Sequence, residues 1–148
     1  EVDALRKQFH LPGMRIVEFA FDGDDDNPHR LFNHTPDSVV YTGTHDNDTV
    51  VGWFDSLDDG MKQCVREGLD IEQDSQVLDA AIDAALASPG EITILPMQDI
   101  LGLGTESRMN TPATIDHNWR WRFQWDQLRG HAASDWKSRL EKFQRLES

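Results

Sequence analysis

Three short runs rich in β-branched and aromatic residues constrain this chain most: residues 14–21 (MRIVEFAF), 39–42 (VVYT) and 92–97 (ITILPM). Such side chains fit a pleated, half-buried surface. Between the runs lie stretches with helical periodicity, and that alternation is the mark of parallel βα units, so the chain is expected to be α/β. The clearest helix spans residues 75–88, where Val77, Leu78, Ala81, Ile82, Ala85 and Leu86 recur at helical spacing before Pro89-Gly90 stops it. The chain opens at Glu1 inside another helical stretch, with Val2, Leu5 and Phe9 on one face and Pro12-Gly13 closing it. Further helices are expected from near Asp48, over 56–68 with Ser56 and Asp59 at capping-box spacing, and over 134–146 with Trp136, Leu140 and Phe143 on one face. Pro96 predicts an irregular end to the third strand.

Residues 39–54, VVYTGTHDNDTVVGWF, carry the strongest functional signal. An apolar run reaches Gly43 and breaks into Thr44, His45, Asp46, Asn47, Asp48 and Thr49. In α/β proteins ligands bind just beyond the carboxyl ends of strands. One such residue suffices to cap the following helix, and a whole run of polar residues exceeds that need. The acidic balance, 27 Asp and Glu against 14 Lys and Arg, gives a net charge of −13 and argues against nucleic acid or anionic membranes as partners. A lone cysteine, Cys64, excludes an intrachain disulfide framework and fits a reducing compartment. No apolar run approaches the roughly 18 residues of a membrane span.

YTGTHDNDT followed by GWF closely resembles a signature of the amylomaltases, the 4-α-glucanotransferases of the α-amylase clan. QDILGLGTESRMNTP with NWRWRF (98–123) and LPGMRIVEFAFD (11–22) agree with the same family in the same order. The resemblance implies the last three or so βα units of a (β/α)8 barrel, an incomplete C-terminal portion over residues 1–148 with no separate second domain. It implies a cytoplasmic enzyme acting on α-1,4-glucans and maltooligosaccharides, without a cofactor or metal. In a retaining mechanism two carboxyl groups work as nucleophile and acid/base, and here a sugar 4-hydroxyl replaces water as the acceptor. The resemblance puts both groups upstream of this chain, so the isolated piece is expected to be inactive. The family's third carboxylate, which stabilises the transition state, falls on Asp46, with His45 beside it as a donor to the sugar. Asp22 matches an aspartate on the acceptor side of the cleft, or else simply starts a loop; Asn110 matches a sugar-contacting asparagine, or else stabilises its own loop. Arg108 is expected to orient a carboxylate or form a salt bridge, and Glu18 to be buried inside the barrel or ion-paired. Trp53 is expected in the core.

Two departures stand out: Ala113 and His117 occupy positions where the family's MN-x-P-G…G-N-W loop has glycine. Three strands also cannot close a barrel, so exposed sheet edges and self-association of the isolated piece are expected. Two rival classes remain on sequence grounds. One is a metal site, but DGDDDN (22–27) lacks the glycine and the final glutamate of a calcium loop. The other is a non-catalytic carbohydrate-binding module, suggested by five tryptophans and opposed by the long helical stretches.

Overall fold

The computed structural model describes residues 2–128 and 132–146; the expected helical state of Glu1 falls outside them. Three parallel strands, β1 (Gly13–Ile16), β2 (Ser38–Tyr41) and β3 (Ile92–Ile94), form one sheet in the order β1-β2-β3. Met14, Val39 and Ile92 stand side by side in register, as do Ile16, Tyr41 and Ile94. Successive side chains of a strand point to opposite faces, so these six share one face. Arg15, Val40 and Thr93 belong to the other, which the helices cover. The outer edges of β1 and β3 have no strand partner among the described residues.

Helix α1 (Val2–Gln8) precedes β1, α2 (Val50–Ser56), α3 (Asp59–Leu69) and α4 (Val77–Ala87) connect β2 to β3, and α5 (Met97–Ile100) and α6 (Ala132–Lys142) follow. The core joins Val17, Phe21 and Val40 to Val50 and Phe54 of α2, Val65 of α3, and Val77, Ala81 and Ala85 of α4. The apolar stripe read from the sequence is thus the face of α4 turned to the sheet. Trp53 is partly buried at the edge of this core, its ring 5.8 Å from that of Phe21. The predicted apolar face, which spans α1 and the residue after it, stays out of the core: Val2, Leu5 and Phe9 are all exposed.

Several boundaries differ from the sequence reading. The first strand ends at Ile16, and residues 17–19 form a 3-10 turn. That turn stays tied to the sheet because Glu18 N donates to Thr42 O at 3.2 Å. The third strand ends at Ile94, and Pro96 caps α5, since a ring-locked φ without an N–H suits a helix start. Ser56 does not open α3. Asp58 is its N-cap, accepting from Met61 N at 2.9 Å, while the Ser56 hydroxyl turns back onto Trp53 O.

Helix α6 docks on α4 through charge. Arg139 reaches Asp79 and Asp83, and Lys142 reaches Asp83, at 2.6 to 2.9 Å. Just beyond α6, the Arg145 guanidinium donates to the carbonyls of Leu86, Ser88 and Gly90. It completes the end of α4, whose own last turn holds no basic residue.

Candidate active site

The open face of the sheet forms the floor of a cleft of about 680 Å³, with Met14, Ile16, Tyr41 and Ile94 beneath and the 43–49 turn, Arg108, Met109 and Trp119 around it. It lies beyond the carboxyl end of β2, where the sequence placed it. The polar turn is built from its own side chains. Asn47 Oδ1 accepts from Thr44 N at 3.0 Å and Thr44 Oγ1 at 2.7 Å, and Thr44 Oγ1 accepts from Asp46 N at 3.3 Å. Thr49 then caps α2, its Oγ1 accepting from Gly52 N at 3.1 Å. Capping therefore occupies Thr49 and leaves His45 and Asp46 half exposed at the cleft.

A second loop locks the first in place. Asn110 Nδ2 donates to Asp46 Oδ1 at 2.6 Å, and Asn110 N donates to His45 O at 3.1 Å. Arg108 forms an ion pair with Asp48 at 3.4 Å, the salt bridge considered for it, and donates to the backbone carbonyl of Asp46, not its carboxylate, at 3.1 Å. His45 Nε2 lies 3.3 Å from the same Asp46 Oδ1, and its imidazole packs 5.0 Å from the Trp119 ring. Three of the four sequence-picked residues, His45, Asp46 and Asn110, are thus joined in one hydrogen-bonded group.

Asp22 stands apart. Because β1 is short, Asp22 lies six residues past its end rather than at it, and it does not line the cleft. Its Oδ1 accepts from Asp24 N at 3.0 Å, and the Asn27 side chain holds its carboxyl below the usual range. In this structure Asp22 is a turn-starting residue.

Sequence reasoning overlooked Asp99. It is 1% exposed and bridges the strand end to the helix start, accepting from Thr42 Oγ1 at 2.6 Å and Val50 N at 2.9 Å. Burial pushes its carboxyl up, with these two bonds acting against the rise. Its position just after a short strand, at the start of the 98–110 motif, was the available signal. Glu18 is buried, as one of its two expected states required, and forms no ion pair among the described residues. Burial first, then the nearby Asp99, push its carboxyl up to about 9. Ala113 and His117 both hold φ of 63°, so the loop keeps a left-handed backbone even where the residue is not glycine. Cys64 is an exposed thiol on α3. Among the described residues, His, Cys, Asp and Glu side chains nowhere gather in a group of three placed to hold a metal ion. No helix is long and apolar enough to cross a membrane among the described residues.

Comparison with known proteins gives consistent matches. The chain is 51% identical to a chloroplastic/amyloplastic 4-alpha-glucanotransferase of Oryza sativa over 122 residues, which are 82% of this chain and 20% of that protein. It is 45% identical to a 4-alpha-glucanotransferase of Synechocystis over 139 residues, 93% of this chain and 26% of that one. The chain thus spans between a fifth and about a quarter of the length of these relatives. Its fold matches an amylomaltase from Streptococcus agalactiae in complex with acarbose at a TM-score of 0.92 and 28% identity, covering 99% of this chain and 30% of that one. The three-stranded parallel unit is therefore a portion of a (β/α)8 enzyme fold. A family model described as 4-alpha-glucanotransferase matches residues 1–129, most of the chain and every motif that builds the cleft, and it is to this family that the chain belongs.

Proposed function

We propose that the protein containing this chain is a 4-α-glucanotransferase that moves α-1,4-glucan segments between maltooligosaccharides by a retaining double displacement, without a cofactor. The observation that carries this reading is Asp46: a carboxylate clamped by Asn110 at 2.6 Å, beside an aromatic- and aliphatic-walled cleft, in a chain of this family. Asp46 is the transition-state stabiliser. With Oδ1 held by Asn110 and His45, its second oxygen accepts from hydroxyls of the reacting glucose. Those bonds strengthen as positive charge develops at the anomeric carbon, and a carboxylate already fixed in place spends little on reorganisation. His45 and Asn110 hold Asp46 and contact the same sugar, and Trp119 supplies an apolar wall for a sugar face.

The nucleophile and the acid/base come, in this reading, from residues outside these 148. Residues 1–148 then form part of a single barrel with no separate second domain, and the edges of β1 and β3 receive the neighbouring strands. Without those strands the edges favour self-association. We place the enzyme in the cytoplasm, whose reducing conditions keep the exposed Cys64 thiol free.

The test is to incubate the full-length protein with maltotriose and resolve the products by mass spectrometry. Glucose together with longer maltooligosaccharides is the expected result. A maltotriose peak that persists unchanged would sink the assignment.

A further inference from the structure

One buried ionisable group has no part in the site described so far. Glu18, in the 3-10 turn after β1, is only 6% exposed, and its Oε1 makes no hydrogen bond. A buried carboxyl oxygen without a partner costs free energy, and apolar packing would serve a plain core position better. The surroundings are shaped to admit it. Gly43 opens the polar turn, and a Cβ there would lie 2.5 Å from Glu18 Oε1 and 3.2 Å from Asn47 Cβ. Glu18, Gly43 and Asn47 are thus stacked without room for one more carbon.

From Asn47 a continuous path leads to the cleft. Asn47 Oδ1 holds both Thr44 N and Thr44 Oγ1, Thr44 Oγ1 holds Asp46 N, and Asp46 carries the carboxylate at the cleft. We infer that Glu18 is the positioning residue for Asp46, acting from beneath the turn through Asn47 and Thr44 and never touching the sugar. This rests on the glucanotransferase reading above.

The charge around Glu18 explains why the acid form is the useful one. Asp99 faces it from α5 and Asp48 from the turn, and both oppose a further negative charge; Arg108, the cation nearby, is engaged by Asp48 and by Asp46 O. The Asn47 side chain hydrogen-bonds the Glu18 carboxyl and works against the rise, while its Oδ1 holds Thr44. Ionised Glu18 pulls harder on that Asn47 amide and repels Asp48 and Asp99, which strains both ends of the turn. With its pKa raised to about 9, the acid form prevails at neutral pH.

The experiment measures maltotriose disproportionation by the full-length protein from pH 5 to 11, in wild type, Glu18→Gln and Glu18→Leu. Alongside, NMR follows the Thr44 amide and the Asp46 carboxyl carbon over the same pH range. Wild-type kcat is expected to fall through a midpoint near 9, and Glu18→Gln, which keeps the shape and cannot ionise, is expected to lose that fall while retaining most of its activity. Glu18→Leu fills the space without a polar head, and its kcat is expected to drop by about tenfold or more at little cost in KM, since small misplacements of a catalytic group are expensive. The Thr44 and Asp46 signals should move with the Glu18 midpoint in wild type and stay still in Glu18→Gln. Matching alkaline limbs in wild type and Glu18→Gln, equal activity in Glu18→Leu and Glu18→Gln, or Asp46 signals blind to Glu18 would each overturn the inference. If wild type transfers no glucan at any pH, the glucanotransferase reading fails, and the NMR titration alone decides whether Glu18 positions Asp46.

Discussion

The two faces of the same three-stranded sheet do opposite work. On the covered face Val40 is 0% exposed and packs into the core with α2, α3 and α4. On the open face, in register one residue away, Met14, Ile92 and Ile94 remain 52%, 48% and 46% exposed and line or flank the cleft. A period of two lets one strand hold the fold with alternate side chains and offer a site with the others. This division by residue parity can be tested by substitution, with Ile16, 5% exposed, the buried exception on the open face.

The largest effect should come from the open side. In the full-length protein Asp46→Asn is expected to fold normally and to lose about a thousandfold in transfer rate, the scale seen when one preorganised electrostatic group is removed. Near-normal kcat with an unchanged melting curve would break the comparison at its functional end. The covered side should show the reverse. Val40→Ala is expected to cost about 2 kcal/mol in denaturant unfolding while Ile94→Ala costs under about 1 kcal/mol, because only the first leaves a cavity in a packed core. Equal costs would mean that the open face is as well packed as the covered one.

Glu18 sharpens the contrast through pH. An ordinary glutamate titrates near 4.5, and this one near 9. Between those values the unfolded chain sheds a proton that the folded chain keeps, so the folded state weakens steadily as pH rises and levels off only above about 9. Glu18→Gln removes that penalty and is expected to raise unfolding free energy by about 3 kcal/mol at neutral pH, with no gain in acid. A gain that does not grow from acid to neutral pH would contradict the raised pKa.

The smallest effect lies in the 110–119 loop. Ala113→Gly and His117→Gly relieve left-handed backbone at φ of 63° and should each add up to about 1 kcal/mol of stability, measured by thermal unfolding. A loss at either position would show that its side chain offsets the backbone cost.

How much of this was legible depended on whether the cause was local. The α4 stripe, the strand over 39–42 and the break into polar residues at Gly43 are set by neighbours in sequence, and the structure keeps all three. Strand lengths were not local. Val17 and Phe19 have strand-like side chains, yet the backbone turns there because Val17 enters the core and Glu18 must reach beneath Gly43. Ser56 matched a capping pattern, but Asp58 stood two residues closer to where α3 begins. At the site, His45 and Asp46 were visible as a motif. The bond from Asn110 spans 64 residues and that from Thr42 to Asp99 spans 57, so the network tying them together exists only in the folded chain.

Arg145 carries a consequence for how the chain is made. It closes the carbonyl end of α4 from 55 to 59 residues further on. Since a polypeptide emerges amino end first, α4 leaves the ribosome with its last carbonyls open to water. They find their guanidinium only after β3, the Asp46-clamping loop and α6 have followed. The finishing of α4 thus reports that nearly all of these residues have been delivered, and a chain released early would carry the helix stripe and the polar 43–49 turn with the helix end still undone.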